Sequence, residues 1–589
     1  MRLHVASMSL CFVSRLLVGL LPLAITITVY LYLFPVFSGC AFPLPNSNAS
    51  RDPSAFLHTV KQHFKPNSVP SESPEPAIFR LLILADPQLE GDTSLPGHEY
   101  TLPYRLQQHY NDTLTSLSTA PFPYILRPEV RNAVLAALRS FVAEDLPRAF
   151  AGARKRLDLL GNDYYLAHIY RTLHWWTKPT HVTVLGDLIG SQWVSDEEFA
   201  RRGERYWDRV FAGGERVDDA ITRTGEEGYA AGNDKGNELL EELPASASWA
   251  TRIINIVGNH DVGYSGDASE QRIKRFEEVF GRANWDIRFQ HPRMKVDGAG
   301  NGGEEEEKEV TPTLHLVNLN SLTLDEPPYS PEIQSHGYAF INDLISHRSY
   351  PVEDRSTFTL LLTHLPLHKP EGVCTDGPYF TYFDKDDESD QQRYEAGGLR
   401  EQNHLSEHVS VNGILQGIFG MNGHGNGDNG GIGNGRNGLI LTGHDHEGCD
   451  VVHSLHTSPP PLSLSNDSGT PNEGPDQGQA PWTWNATRYN PNNHTGSSGP
   501  SIREITLRSM MGEYGGNAGL LSLWFDTSAA EWKYAVSMCP AGVQHIWWAV
   551  HAIDLVTVLV AVLYGLVWVC SGFGSVRKGI IVGLDKKTR

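Results

Sequence analysis

Cysteine is scarce in this chain, with six in 589 residues. That is too few for a fold held by a disulfide framework, so a hydrophobic core has to carry it. Cationic side chains are short as well: 48 Lys and Arg stand against 69 Asp and Glu, a net charge of −21. The basic footprint of a nucleic-acid binder is missing, which argues against such a partner. An acidic surface also does little to attract a phosphorylated substrate, so phosphate chemistry here would need local cations. Long apolar runs are confined to the two ends.

From Leu16 to Phe34 the sequence reads LLVGLLPLAITITVYLYLF, preceded by Arg2 and Arg15. A signal peptide cut near Ser38-Gly39-Cys40 is one reading. The run is about the 20 residues a bilayer needs, which favours an anchor over 16–37. Ile546 to Val569 forms a second run, with Trp547, Trp548 and Trp568 at its borders and Arg577, Lys578, Lys586, Lys587 and Arg589 after it. The positive-inside rule then predicts a span over 546–570, with 1–15 and 571–589 cytosolic and everything between in a lumen. His551 and Asp554, one turn apart in this span, read as an interfacial pair. Glycosylation tripeptides at Asn48, Asn111, Asn466, Asn485 and Asn493 agree with a lumenal middle. A lumen also permits a disulfide among Cys40, Cys374, Cys449 and Cys539. The terminal Lys586-Lys587-Thr588-Arg589 matches a cytosolic dilysine retrieval signal, which predicts residence in the endoplasmic reticulum membrane.

Residues 38–75, rich in Pro and Ser, read as a lumenal tether to one domain over 76–530. Three stretches read as disordered insertions in it: 297–309 (DGAGNGGEEEEKE), the Gly- and Asn-rich 412–438, and 457–500. Between them, apolar runs predict strands at Arg80–Ala85, His181–Leu185, Arg252–Val257, Leu314–Asn318, Phe358–Thr363 and Leu439–Thr442. Helical patterns intervene at Glu129–Ala149 and Tyr164–Trp176, and a late strand pair is expected at Ile502–Leu507 and Gly519–Phe525. This predicts an α/β domain of sheets covered by helices.

The residues just beyond the strands are more informative. The stretch LILTGHDHEGCD, Leu439 to Asp450, ends an apolar run in Gly443-His444-Asp445-His446. Asp86-Pro87-Gln88, Gly186-Asp187, Gly258-Asn259-His260-Asp261 and His364 stand at the ends of four other runs. Each alone has a bland reading: Asp187 as a helix cap, Asn259 as a turn residue, His364 as a satisfied core histidine. Five strand ends in one chain presenting carboxylate, amide and imidazole together point to divalent Mn, Fe or Zn.

This ordered set resembles the signature of the calcineurin-like metallophosphoesterases. The resemblance covers about Arg80 to Phe525 and implies an αββα sandwich with a two-metal centre. Carried over, Asp187 bridges two divalent ions, with Mn expected and Zn or Fe as alternatives. Asp86 and His446 complete one site, and Asn259, His364 and His444 hold the other. His260 would act as acid or charge stabiliser, with Asp261 orienting its ring.

The family pattern usually has Asp-x-His at the first motif, where this chain has Gln88. A carboxamide oxygen is a poorer donor than imidazole, so Gln88 is a weak ligand, a position taken over by water, or a substrate contact. The segments GNDYYLAHIYRT, GDLIGSQW, REQNHLS and SMMGEYGGNAGLL are similar to the fungal Cdc/Ted-type members. Their mammalian relatives include the post-GPI-attachment phosphodiesterase. That resemblance implies removal of ethanolamine phosphate from a GPI-anchor mannose, promoting export of GPI-anchored proteins. Cargo receptors and a dilysine-binding coat are the implied partners. Two alternatives stand beside it: action on another lumenal lipid or sugar phosphate, and a catalytically weak cargo-sorting scaffold.

Overall fold

The computed structural model describes residues 2–45, 53–64, 77–91, 95–118, 128–222, 240–296, 308–348, 352–374, 377–386, 393–421, 435–457, 482–490 and 499–585. Two mixed sheets dominate them. In the six-stranded sheet, Phe79–Leu84 lies between His181–Val184, which runs parallel to it, and Asn517–Asp526, which runs antiparallel. In the eight-stranded sheet, Asn437–Thr442 lies between Thr357–Thr363 and Ser501–Thr506, all three parallel.

Alternation of side chains explains the layering. Phe79, Leu81 and Ile83 share one core with Phe289, Leu316, Leu360 and Leu439 of the other sheet. Leu82 and Leu84, on the opposite face, pack with Leu166, Ile169 and Leu173 of the helix Leu146–Thr177. On the other sheet, Leu361 and Ile440 join Phe340 and Ile341 of the helix Pro331–Ser346. Both faces of the parallel strands are buried, which is why their sequences are continuously apolar.

The structure revises several expectations. The late strands are not a pair. Ser501–Thr506 joins the eight-stranded sheet, while Asn517–Asp526 crosses to the six-stranded sheet and pairs with Phe79–Leu84 and Glu531–Pro540. Within the expected tether, Pro53–Phe64 is a helix. Its Phe56 and Val60 pack on the core, and His63 stacks on Trp176 with ring centroids 5.1 Å apart. Parts of the expected insertions are ordered too. Lys308–Val310 pairs with Met294–Val296, and Trp482–Arg488 pairs with Cys449–Thr457. The rest of 297–307, together with 422–434, 458–481 and 491–498, lies outside the described residues, as do Lys586 and Lys587. So do Asn48, Asn466 and Asn493, while Asn111 and Asn485 are exposed.

The two terminal helices contain apolar stretches long enough to cross a membrane, Cys11–Tyr32 and Gln544–Val569, of 22 and 26 residues. Both leave large apolar side chains bare, among them Val18, Ile25, Val558, Leu559, Val562 and Leu566. Such faces are consistent with a bilayer around them. The helices are joined side by side: Thr28 Oγ1 donates to both carboxylate oxygens of Asp554, at 3.0 and 2.9 Å. His551 binds the Trp547 carbonyl (2.8 Å), so His551 and Asp554 each find a partner other than the other. Cys40 and Cys539 form a disulfide that ties the end of the first helix to the strand before the second. A second disulfide joins Cys374 to Cys449.

Candidate metal centre

Five strand ends converge on one point. Asp86, Asp187 and Asn259 come from the six-stranded sheet, and His364 and His444 from the eight-stranded one. The turns beyond these strands are unusual. Asp86, Gln88, Asp187 and His444 all have positive φ, at 52°, 43°, 53° and 72°. Left-handed backbone is strained for residues with a Cβ, and such strain tends to collect at functional sites. Gly258 lets the turns meet: a Cβ there would lie 1.9 Å from the Asp187 amide nitrogen.

Hydrogen bonds to backbone carbonyls set the histidine tautomers. His364 Nδ1 faces the Leu185 carbonyl at 2.8 Å, so that nitrogen carries the proton. Its Nε2 lone pair is then 2.9 Å from Asn259 Oδ1 and 3.4 Å from Asp187 Oδ1. His444 Nε2 likewise donates to the Gln402 carbonyl (2.9 Å), which turns Nδ1 toward Asn259 Oδ1 at 3.0 Å. Burial pushes the His444 pKa down to about 3, and pushes those of His364 and His446 down as well. These rings are therefore neutral near pH 7, the form that binds metal.

Lone pairs thus face lone pairs. Asp187, His364 and His444 each bring one ligand atom within 4.8 Å of the others, and so do Asp86, Asp187 and His446. Asp187 belongs to both groups. The buried Asp86 Oδ2 has no hydrogen-bond partner, and burial with the neighbouring Asp187 charge pushes the Asp86 carboxyl well above its usual range. Burial also opposes ionisation of Asp187, but His364, His260 and His444 outweigh it and hold that carboxyl below its usual range. Two adjacent carboxylates and converging unprotonated nitrogens are what a pair of divalent cations would reconcile. The donor set fits such a centre.

His260 stands apart from the ligand atoms. Its side chain is 38% exposed, and its Nε2 lies 3.9 Å from Asp187 Oδ2. Its backbone N–H donates to Asp187 Oδ1 (2.9 Å). The expected role of Asp261 is corrected here. Its carboxylate does not hold the His260 ring; it accepts from the backbone N–H groups of Ile189 and Gly258, both at 2.8 Å. Asp261 comes directly after His260, and the short turn sends the two side chains apart, so Asp261 ties the two motif loops together from beneath.

Over 431 residues, 68% of this chain and 77% of the relative, the sequence is 35% identical to Protein TED1 of Saccharomyces cerevisiae. The chain belongs to the TED1-type metallophosphoesterases. A Schizosaccharomyces pombe protein without an assigned function is 24% identical over 430 residues, 68% of this chain and 80% of its own. The Danio rerio protein named metallophosphoesterase 1 is 21% identical over 308 residues, 50% of this chain and 60% of its own. No protein-family model matches the chain.

Gln88, the departure from the metallophosphoesterase pattern, lies against the Asp86–Asp187–His446 group. Its Nε2 is 3.0 Å from Asp187 Oδ2 and 3.1 Å from His446 Nε2. As placed, the amide offers a donor to two ligands and not an oxygen to an ion. Gln88→His, which puts a nitrogen lone pair in that space, is expected to lower the Mn concentration for half-maximal activity by roughly tenfold. Gln88→Ala, which loses the hydrogen bond to Asp187, should raise it by a similar factor. Activity titrated against Mn for the three proteins checks both; an unchanged midpoint in Gln88→His overturns the idea that this position limits metal binding.

Several contributors were not singled out from sequence. The Gln402 carbonyl sets the His444 tautomer, and Tyr514 stacks edge-on to His446 with ring centroids 4.8 Å apart. Ser509 Oγ donates to the Asp86 carbonyl (3.1 Å). The segments REQNHLS and SMMGEYGGNAGLL carry these residues, but a backbone carbonyl leaves no mark in a residue code. Gln402 itself is held by strand pairing with Phe380 and by its Nε2, which donates to Asp325 Oδ2 (3.1 Å).

Beside the centre lies a cavity of about 470 Å³ whose lining includes Gln88, His446, Tyr514, Asn162, Asp158 and Gln544. Gln544 is the first residue of the C-terminal apolar helix.

Proposed function

We propose that this protein is a two-metal phosphodiesterase of the endoplasmic reticulum lumen that removes ethanolamine phosphate from a mannose of GPI anchors. The observation that carries the reading is the cavity itself, which is lined both by Gln88 and His446 of the ligand cluster and by Gln544, the first residue of an apolar helix long enough to cross a membrane. A substrate anchored in the bilayer but reacting at a glycan phosphoester needs such a path. The wall contains Glu90, Asp158 and Glu513; Lys155 pairs with Glu90 (2.7 Å) and Asp158 (3.4 Å), and the arginine of the wall, Arg202, pairs with Glu198 (2.8 Å). Glu513, with no ion pair among the described residues, is the wall carboxylate that would meet the ammonium of ethanolamine phosphate, whereas a sugar phosphate carries no cation.

Divalent ions at the cluster, Mn by expectation, would neutralise charge on the phosphoryl group and lower the pKa of water for attack on phosphorus. Asp187 would lie between the two ions, Asp86 and His446 at one and Asn259, His364 and His444 at the other. His260, exposed at the rim, would give its proton to the mannose oxygen as the P–O bond breaks. The layering of two sheets between helices supports the αββα sandwich of the calcineurin-like family. Both disulfides suit an oxidising lumen, which supports cytosolic termini and a dilysine tail open to a coat. Trimmed GPI proteins would then be recognised by cargo receptors.

The test is a mass profile of GPI glycans from cells lacking this protein, complemented with the wild-type chain or with Asp187→Asn. The expected result is an extra ethanolamine phosphate per glycan, removed by the wild type and not by the variant. A profile identical in all three lines overturns the assignment.

A further inference from the structure

A second cavity lies on the far side of the helix Leu146–Thr177. It measures about 530 Å³ and is bounded by Tyr32, Tyr164, His168, Arg171, Trp175 and Trp547 among others. Its position is defined by the two apolar spans, since Tyr32 ends one and Trp547 lies one turn into the other. Aromatic residues at that level mark the headgroup layer of a bilayer.

Three features call for a ligand there. Tyr32, Tyr164 and Trp175 leave 45%, 46% and 52% of their surface exposed around the opening, an apolar rim that water alone covers poorly. His168 is only 5% exposed, and neither ring nitrogen has a hydrogen-bond partner. Its ring meets the edge of Tyr32, at 4.9 Å between centroids, and stands near the His551 imidazole, which also lines the cavity. A buried polar group left unmatched is costly, by about 1–3 kcal/mol. Arg171 is exposed, binds the Arg209 carbonyl (3.0 Å), and forms no ion pair among the described residues. An unmatched imidazole and an unneutralised guanidinium, set in an aromatic cleft at membrane level, ask for an anionic group on an apolar stem.

We propose that this cavity holds one glycerophospholipid of the surrounding bilayer, its phosphate on Arg171 and an ester or phosphate oxygen accepting from His168. The volume admits a headgroup and glycerol, leaving the acyl chains along the bare faces of the two spans. Burial pushes the His168 pKa down to about 4, so the ring is neutral and presents one donor. The same helix lines the catalytic cavity at Asp158, Leu159 and Asn162. A lipid seated on its other side would fix the height of that cavity above the membrane. The inference concerns this lipid alone and stands whatever phosphoester the metal centre cleaves.

The experiment uses the full chain in phosphatidylcholine vesicles doped with a diazirine-bearing phosphatidylcholine, irradiated, digested and mapped by mass spectrometry. Adducts should concentrate in peptides carrying 164–175 and 544–551. Arg171→Glu should reduce them about tenfold, the worth of one charge-assisted hydrogen bond. Arg154→Glu, exposed on the same helix but outside the cavity, should leave them unchanged. His168→Leu should also lose them without lowering the unfolding temperature, because the imidazole it removes has no hydrogen bond to lose. It decides the matter if Arg171→Glu fails to fold. Adducts spread evenly along both spans, or insensitive to both variants, would overturn the proposal. Displacement of the adduct by excess inorganic phosphate would overturn it in favour of a free-anion site.

Discussion

Asp187→Asn is expected to abolish hydrolysis, with a fall of at least about 10³-fold in kcat/KM and loss of bound metal. The substitution keeps size and shape and removes one negative charge and one of two acceptor oxygens. Asp187 is 1% exposed and is shared by both ligand groups, whereas the neighbouring Asp86 carboxylate belongs to one of them and leaves the other group without a negative charge. One oxygen also receives the His260 backbone N–H, which Asn can still satisfy with its carbonyl. The fold should therefore hold while the metal leaves. Metal content by elemental analysis, activity against a phosphodiester, and the unfolding temperature separate these effects. Full activity, or full metal content with normal activity, would end the two-metal reading.

His260→Ala should behave differently. A fall of about 10²–10⁴-fold in kcat is expected, with KM and metal content close to normal. The ring is half-exposed at the rim, 3.9 Å from the nearest Asp187 oxygen, and makes no ligand contact that alanine would remove. The backbone N–H that supports Asp187 survives the change. Loss of metal in this variant would show that His260 is a ligand and not an acid. Comparison with Asp261→Asn is informative, because Asp261 binds the Ile189 and Gly258 amides. That variant should perturb both motif loops, lowering metal content and kcat together.

The motif residues were legible in the sequence because each lies within a few positions of the strand that carries it. An apolar run fixes where a buried strand stops, and the polar residues just beyond are placed by the covalent chain. Asp86, Asp187, Asn259, His364 and His444 are all of this kind. The two apolar spans were legible for a similar reason, since length and composition alone decide whether a helix can cross a bilayer. Ordered pieces inside the expected tether and insertions were not. Pro53–Phe64 and Trp482–Arg488 gain their order from partners distant in the chain, Trp176 and Cys449–Thr457.

The sequence by itself therefore determined the list of chemical groups, their order along the chain and the two terminal helices long and apolar enough to cross a membrane. Tertiary structure alone decided how those groups face each other. It assigned Ser501–Thr506 and Asn517–Asp526 to different sheets, turned Asp261 toward two loop amides, and paired Cys40 with Cys539 and Cys374 with Cys449. It also brought a carbonyl from Gln402 onto His444, 42 positions away, and so chose which nitrogen faces the metal cluster. Such contacts depend on register and packing between distant segments, and many pairings satisfy the same local pattern of apolar and polar residues. The cavity beside the candidate metal centre includes Gln544 in its lining because the long helix Leu146–Thr177 packs against both the six-stranded sheet and the start of the C-terminal apolar helix. The hydrogen bond from Gln544 to Asn162 joins residues 382 positions apart, a juxtaposition that no local pattern encodes.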